Sequence, residues 1–329
     1  PENPRLTYAG CYLGLIEEFD TVTRTVRSVK AYEEQGLGVP PREQKLRFNW
    51  NAPIHVSRHD PQVIYHGANV LLRSDDRGFS RDEISPDLTR DEDDKQGSGA
   101  GPYTNENIEQ YNTIFAFAES PHDADTLWVG TDDGLVHVTR DGGASWTRLD
   151  EGLPQHLWVS RVEASHHREG RVYVTLNGYR NDHFAAYVYR SDDYGHTWTR
   201  IGTDLPNEPV NVVLEDPEHE DILYVGTDHG LYVSLDRGAT FMALMDGLPN
   251  APVHDLKIQS RAADLIVGTH GRSIFRADLE TLRQIPAVRG EALHAFAPPP
   301  VPFDDDWGNQ PASWREPNVP SVELPFYSD

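Results

Sequence analysis

Short apolar runs alternate with polar positions from residue 6 to residue 283, and the period of two is that of strands, not helices. The runs fall into families. One comprises VIYHGANVLLRS, LWVGTDDGLVHVT, LYVGTDHGLYVS and LIVGTHGRSIFRA, each read as two strands about a tight turn. A second family, APIHVS, TIFAFAES, VSRVEAS, VNVVLED and VHDLKIQS, places one more strand before each of these. A third phrase follows them: SDDRGFSR at 74–81, TRDGGASW at 139–146, SDDYGHTW at 191–198 and SLDRGATF at 234–241, leading into short strands such as WTRLD and WTRIG. Every unit thus predicts four short antiparallel strands. Units recur about every 40–65 residues, the span of a propeller blade.

Five complete blades are expected at 49–90, 111–150, 157–202, 209–246 and 252–283. Residues 6–32 supply the last three strands of a sixth, whose innermost strand is missing. ALHAF at 292–296 is the candidate to close it and hide the exposed edge. The expected fold is all-β: a single β-propeller of about six four-stranded blades, with seven left open, and a Pro-rich C-terminal arm. The propeller spans 1–285 with a long acidic insertion at 82–110, and the closing strand and arm occupy 286–329.

The recurrent turn has its own chemistry. An Asp at its third position accepts hydrogen bonds from turn amides, a Gly at its fifth supplies a positive φ, and a closing aromatic packs between sheets. Asp76 and Gly78, then Asp141, Gly143 and Trp146, Asp193, Gly195 and Trp198, and Asp236, Gly238 and Phe241 take these places. A repeated architectural need explains four such aspartates better than catalysis does. Arg81 departs from the pattern, standing where the first turn should carry its aromatic.

Charge narrows the function. With 29 Lys+Arg against 53 Asp+Glu the formal charge is −24, which excludes a nucleic-acid partner because phosphate recognition needs a basic footprint. Hydrophobic residues at 37% and aromatics at 10% suffice for packed cores, so the chain is expected to fold. No apolar stretch of about 18 residues is present, so no direct membrane span is expected. The single Cys rules out an internal disulfide. The run Tyr8-Ala9-Gly10-Cys11 resembles the end of a lipoprotein signal, but without the apolar stretch before it Cys11 reads as a small buried strand residue. The chain opens on Pro1 in mid-element, as if a leader or an upstream region had been removed.

The four turns resemble the Asp-box, S/T-x-D-x-G-x-T/S-W/F, of the BNR and sortilin-like propellers. RFNWNAPIHVSRHDP, ESPHDADTLWVGTDDGLVHVTRDGGASW and GTHGRSIF further resemble the C-terminal half of large bacterial secreted proteins of the glycosyl-hydrolase-like or sortilin-N-terminal-like kind, which carry tandem propellers. The resemblance covers residues 4–285. It implies the fold and leaves the activity open, because such propellers include sialidases, xyloglucan-cleaving endoglucanases, sorting receptors and photosystem II assembly factors. No sialidase constellation of three arginines and a Tyr nucleophile can be placed. The tandem-propeller glucanases set two Asp residues across a cleft between propellers, and one propeller is present here.

Binding residues are sought on rim loops. Residues 176–190 lengthen a hairpin and carry Asn177, Tyr179, Arg180, Asp182 and His183, a candidate sugar or protein contact. Asp132/Asp133 and Asp228/His229 share one turn in two blades, with His270 in a third, and hairpin chemistry accounts for them better than metal binding. His166 and His167, adjacent in extended chain, point apart. The insertion, with Asp91 to Asp94, reads as solvated acid that forms a docking element or lid. The arm carries nine prolines with Trp307, Trp314, Phe326 and Tyr327 and reads as a pre-extended strap on the propeller or a partner.

The expectation is a non-catalytic, extracytoplasmic (periplasmic or secreted) interaction propeller. It would be an accessory subunit docked on a larger complex such as a photosynthetic assembly, membrane-associated only through its protein partner, with no cofactor and no metal. The alternative is a glycoside hydrolase or an oligosaccharide-binding relative, which needs two carboxyls about 5 Å or about 6.5–9.5 Å apart. Asp132, Asp133, Asp182 and Asp228 are the acids to test, with Trp50 and Trp158 placed to stack on sugar. A sortilin-like peptide-binding module, with its ligand in the central tunnel, is a third reading.

Overall fold

The computed structural model describes residues 4–29, 39–97, 110–298, 300–301, 303–310, 312–322 and 324–328. Among them the alternating runs build six antiparallel sheets from strands consecutive in sequence. Blade 1 holds β1 (Leu6–Cys11), β2 (Leu15–Asp20) and β3 (Val26–Ser28). Blade 2 holds β4 (Ile54–Val56), β5 (Ile64–Gly67), β6 (Leu71–Ser74) and β7 (Asp82–Glu83). Blade 3 holds β8 (Ile114–Glu119), β9 (Leu127–Thr131), β10 (Val136–Thr139) and β11 (Thr147–Arg148). Blade 4 holds β12 (Trp158–Ala164), β13 (Val172–Gly178), β14 (His183–Ser191) and β15 (Thr199–Ile201). Blade 5 holds β16 (Val210–Glu215), β17 (Leu223–Thr227), β18 (Leu231–Ser234) and β19 (Met242–Ala243). Blade 6 holds β20 (Val253–Gln259), β21 (Asp264–Thr269) and β22 (Ile274–Asp278). The fold is an all-β, six-bladed propeller on a four-strand plan.

Two expectations about the ends need correction. Blade 6, expected complete over 252–283, has three strands among the described residues, because after β22 the chain turns helical at Leu282–Gln284 and in α1 (Ile285–Val288). Leu279, Leu282 and Ile285 then pack on the core shared by blades 5 and 6. The segment at 292–296 does not close blade 1: β23 (Leu293–Ala295) pairs with β24 (Phe326–Ser328) from the end of the arm, and Phe296 N–H donates to the Pro325 carbonyl at 3.0 Å. A three-residue strand has weak partner preference, and the returning arm satisfies it locally. Cys11 is exposed at the end of β1, not buried.

The four recurrent turns share one hydrogen-bond pattern. Thr139 donates its hydroxyl to Asp141 at 2.7 Å, Asp141 accepts from Ser145 through both N–H (2.8 Å) and hydroxyl (2.6 Å), and Gly143 N–H donates to Thr139 Oγ1 at 2.9 Å. Asp76, Asp193 and Asp236 hold their turns with equivalent bonds. Trp146 and Trp198 reach back one blade, donating from Nε1 to the Ile84 and Leu149 carbonyls at 2.9 and 2.7 Å. These turns therefore fasten neighbouring blades together. Arg81 has no such acceptor: its guanidinium nitrogens have no hydrogen-bond partner among the described residues.

Blade packing explains a second repeated residue. The second strand of blades 1, 2, 3 and 5 carries a glycine, and a Cβ there would stand 2.7 Å from Ile54 at Gly10, 2.8 Å from Ile114 at Gly67 and 2.6 Å from Val253 at Gly226. At Gly130 it would lie 2.8 Å from Val159 Cβ and closer still to its Cγ1. Each glycine is the slot into which the next blade's innermost strand sets a β-branched side chain.

Candidate functional site

The turn between the second and third strands of each blade lies beside the entry of its innermost strand, and together these segments form one rim of the propeller. The backbone fixes this: Asp132 N–H donates to Thr113 O at 3.1 Å, Asp228 N–H to Pro209 O at 3.2 Å, and His270 N–H to Pro252 O at 2.8 Å. Asn69, Asp132, Asn177, Asp228 and His270 occupy this position in blades 2 to 6.

Over blades 2 and 3 the rim is covered. Asp132 and Asp133 are fully buried there. Asp132 accepts from Thr113 N–H (2.9 Å), from the Thr113 hydroxyl and from Asn49 Nδ2 (3.0 Å). Asp133 accepts from Arg90 N–H (2.8 Å), Asn112 Nδ2 (2.6 Å) and the Thr131 hydroxyl. Burial, and next Asp133 beside it, push the Asp132 carboxyl well above its ordinary value; burial likewise raises Asp133. Buried Arg47 ties in the covering segments by donating to Asp87 at 2.6 Å and to the Asn112 carbonyl at 3.2 Å. Within 84–97 of the acidic insertion Leu88 and Gln96 are buried against the rim, while Asp91, Asp93 and Asp94 are exposed as solvated acid; residues 98–109 lie outside the described residues. Asp132 and Asp133 have no surface to offer a sugar.

Over blades 4 to 6 the rim is open. Asn177 Nδ2 donates to Asn211 Oδ1 at 2.7 Å, and Asn211 Nδ2 donates to Asp228 Oδ1 at 3.0 Å, giving a row of two amides and a carboxylate across blades 4 and 5. His254 and His270 continue the row in blade 6 with ring centroids 5.2 Å apart. Crowding by the surrounding protein, and then His270, lower the His254 pKa, tempered by the solvent its side chain still meets. The long hairpin of blade 4 meets the first member of this row, Tyr179 N–H donating to Asn177 Oδ1 at 3.1 Å. Its Arg180 lies over the Trp158 ring at 3.7 Å and the Tyr179 ring at 4.7 Å. Trp158 is therefore only 4% exposed and covered by a guanidinium, while Tyr179 is 44% exposed. Asp182 is exposed in the left-handed turn that ends the hairpin, and His183 meets Tyr187 OH at 3.0 Å.

The sequence pointed to Asp228, Asp182 and the hairpin residues but missed Asn211 and His254. Their signal lay in the inner strands VNVVLED and VHDLKIQS, where a polar residue follows the entry valine and faces the channel mouth. The channel itself is polar. Glu163 on β12 faces Lys257, Arg161 and Arg58, and Arg161 Nη2 contacts Asp255 at 2.5 Å. Crowding by protein pushes Glu163 up to about 7, the cations opposing, and its remaining contact with channel solvent tempers the rise. At the opposite mouth His167 meets the Asp216 carbonyl at 2.7 Å while His166 lies 3.4 Å from Arg58, so the two adjacent imidazoles point to different neighbours.

The remaining candidates are elsewhere. Trp50 is half-exposed beside Tyr12, and Trp307 packs on Phe303 at 5.4 Å. Trp314 stands 84% exposed on the arm. Among the described residues no group of three or more His, Cys, Asp or Glu can hold a metal ion, and no helix is long and apolar enough to cross a membrane.

Comparison with known proteins places this geometry. No family model matches the chain. A probable oligoxyloglucan-reducing end-specific xyloglucanase of Neosartorya fischeri is 26% identical over 202 residues, 54% of this chain and 21% of that protein, so the chain spans about a fifth of that relative. Among solved structures, the GH74 xyloglucanase of Xanthomonas campestris superposes with a TM-score of 0.56 at 19% identity over 84% of this chain and 43% of the enzyme. A GH74 enzyme of Niastella koreensis gives 0.55 at 16% identity over 84% and 44%. The extracellular domain of a putative hybrid two-component system from B. thetaiotaomicron gives 0.53 at 14% identity over 84% and 34%. At these identities the likeness is one of fold: the chain is a propeller similar to those of GH74 xyloglucanases and of an extracellular sensor domain.

Proposed function

We propose that this chain is a non-catalytic, extracytoplasmic recognition propeller of the Asp-box kind that docks on a larger assembly through the open rim over blades 4 to 6. One observation carries the reading: two of the four candidate acids, Asp132 and Asp133, are fully buried, and a third, Asp228, is held by an amide. Asp132 and Asp133 are structural acceptors, Asp228 accepts from Asn211, and Asp182 is the one of the four that is exposed, in the left-handed turn of the hairpin. Glycoside hydrolysis needs two carboxyls flanking the bond. The open rim instead offers what recognition uses: amides, a carboxylate, two imidazoles and an exposed tyrosine on a rigid scaffold.

An oligosaccharide ligand is the second reading. The Asn177–Asn211–Asp228 row favours it, since amide and carboxylate groups hydrogen-bond sugar hydroxyls, and so do the xyloglucanases among the similar proteins. The test combines gentle isolation from the native source with incubation on xyloglucan oligosaccharides. Stoichiometric co-migration with a larger complex, without release of reducing ends, supports docking. Binding of oligosaccharide by a free monomer shifts the reading to carbohydrate recognition, and turnover abolished by Asp228→Asn or Asp182→Asn refutes the non-catalytic reading.

A further inference from the structure

Two imidazoles meet at the rim of blade 6, and the backbone puts them there. In blades 3 to 6 the innermost strand bulges near its entry, at Phe115, Ser160, Asn211 and His254, where its register with the second strand shifts. A bulge re-aims the side chain it carries. In blade 5 it sets Asn211 against the rim-turn residue of the same blade, Asn211 Nδ2 donating to Asp228 Oδ1 at 3.0 Å. Blade 6 repeats the arrangement with histidine at both places. His270 N–H donates to the Pro252 carbonyl at 2.8 Å, as Asp228 N–H does to that of Pro209, so the main-chain contact that aligns the pair in blade 5 is also made in blade 6.

The rings of His254 and His270 lie 5.2 Å apart between centroids with their planes inclined by 36°, and both side chains are exposed. Zinc–nitrogen bonds of about 2.0–2.1 Å in a tetrahedral site hold the centres of two imidazoles about 5 Å apart. The spacing in blade 6 matches that of two ligands on one ion. Among the described residues neither ring makes a hydrogen bond, whereas His59, His122 and His167 are each tied through Nε2 to a main-chain carbonyl of the next blade, at 2.8, 3.1 and 2.7 Å. Those three histidines fasten blades; the pair in blade 6 fastens nothing. Of the charged side chains that bear on His254, Asp228 favours a cation there and Arg180 opposes it.

We propose that His254 and His270 together bind one divalent transition-metal ion, zinc, nickel or copper, with water in its remaining positions. Imidazole nitrogen suits these ions, whereas calcium and magnesium need several oxygen ligands, which the pair does not offer. No third His, Cys, Asp or Glu completes the set among the described residues, so coordination stays open at the channel mouth, where a donor atom of a docked ligand can replace water. The site lies on the face proposed for docking but does not rest on that reading, because the chain alone supplies both nitrogens.

The test titrates zinc chloride, and separately nickel chloride, into the intact chain by calorimetry after treatment with a chelator and its removal. The expected result is one saturable site, undiminished by excess calcium or magnesium. It should weaken about tenfold or more in both His254→Ala and His270→Ala, since even a residue that only supports a metal ligand is worth that much. Both side chains are exposed, so the melting temperatures of the variants without metal should match the parent's. His196→Ala, at an exposed histidine of an outer turn, should bind as the parent does. Absence of a saturable site in the parent, or unchanged affinity in either variant of the pair, overturns the proposal. Failure of the chain to co-migrate with a larger assembly bears on the docking reading alone, so the two fail separately.

Discussion

Two alanine substitutions that are chemically identical should differ sharply in effect. In Gly130→Ala the new Cβ would lie 2.8 Å from Val159 Cβ, 3.1 Å from Val162 Cγ2 and closer still to Val159 Cγ1, at a position sealed between blades 3 and 4. Neither valine has a free direction, since Val159 and Val162 both belong to the central core cluster. Overpacking of this kind costs ~1–3 kcal/mol, and three simultaneous contacts put it at the upper end. In Gly268→Ala the same methyl meets only a carbonyl at 3.4 Å, and φ is not in the left-handed region. Replacing a strand glycine there should stabilise by ~0.5 kcal/mol, chiefly by restricting the unfolded chain.

The difference between the variants is therefore ~3 kcal/mol, or ~4 °C in melting temperature for a chain of this size. Calorimetry on both variants measures it. The double variant Gly130→Ala/Val159→Ala should recover part of the loss, because shortening Val159 frees the space the new methyl needs, with a coupling of ~1–2 kcal/mol. Equal melting temperatures for the two single variants, or strict additivity in the double, would refute the blade-slot reasoning.

Other outcomes follow from the same contacts. Arg283→Ala should destabilise by ~3–5 kcal/mol in urea unfolding, since Arg283 Nε lies 2.9 Å from Asp216 and its removal strands a fully buried carboxylate beneath blade 5. Arg81→Met should raise the melting temperature, because it replaces a guanidinium without hydrogen bonds among the described residues, whose pKa burial and then Arg27 depress, by an uncharged side chain of similar length. The hydroxyl of Ser145, then that of Thr139, holds Asp141 down to about 2, and Ser80 holds Asp76 down to about 2. A depressed carboxyl contributes stability that is complete above its unfolded value and is lost as pH falls through its folded one, so the urea midpoint should drop from about pH 4 towards about pH 2. Asp141→Asn should flatten that fall.

The blade count and strand order were legible because they rest on local alternation and on a turn whose donors and acceptor lie within six residues of one another, as Thr139, Asp141 and Ser145 do. What failed depended on distance. The role of Asp132 is set by Asn49, 83 residues away, and that of Asp133 by Arg90, 43 residues away, so a pair read as hairpin chemistry proved also to anchor the segments covering the rim. The end of blade 6 misled for a different reason. LETLRQIP follows β22 with leucines at helical spacing, and helical turns that bury Leu279 and Leu282 took the place of a fourth strand.

The rim shows how one repeated position can serve opposite ends. At Asp132, Asp228 and His270 the propeller needs only the backbone N–H, which each donates to the carbonyl at the entry of its own innermost strand. The side chain at that position is therefore unconstrained by the fold, and its surroundings decide its use. In blades 2 and 3 chain folds over it, so Asn69 accepts from Arg47 N–H at 3.0 Å and Asp132 binds Asn49, both as fasteners for the cover. In blade 4 Asn177 is likewise buried, bonded to Asn211 and to Tyr179 N–H, whereas in blades 5 and 6 Asp228 is half-buried and His270 exposed, a carboxylate and an imidazole with surface to offer. A reading of acids alone finds the position and mistakes the job, because burial, not residue type, separates Asn69, Asp132 and Asn177, which fasten chain, from Asp228 and His270, which can meet a ligand.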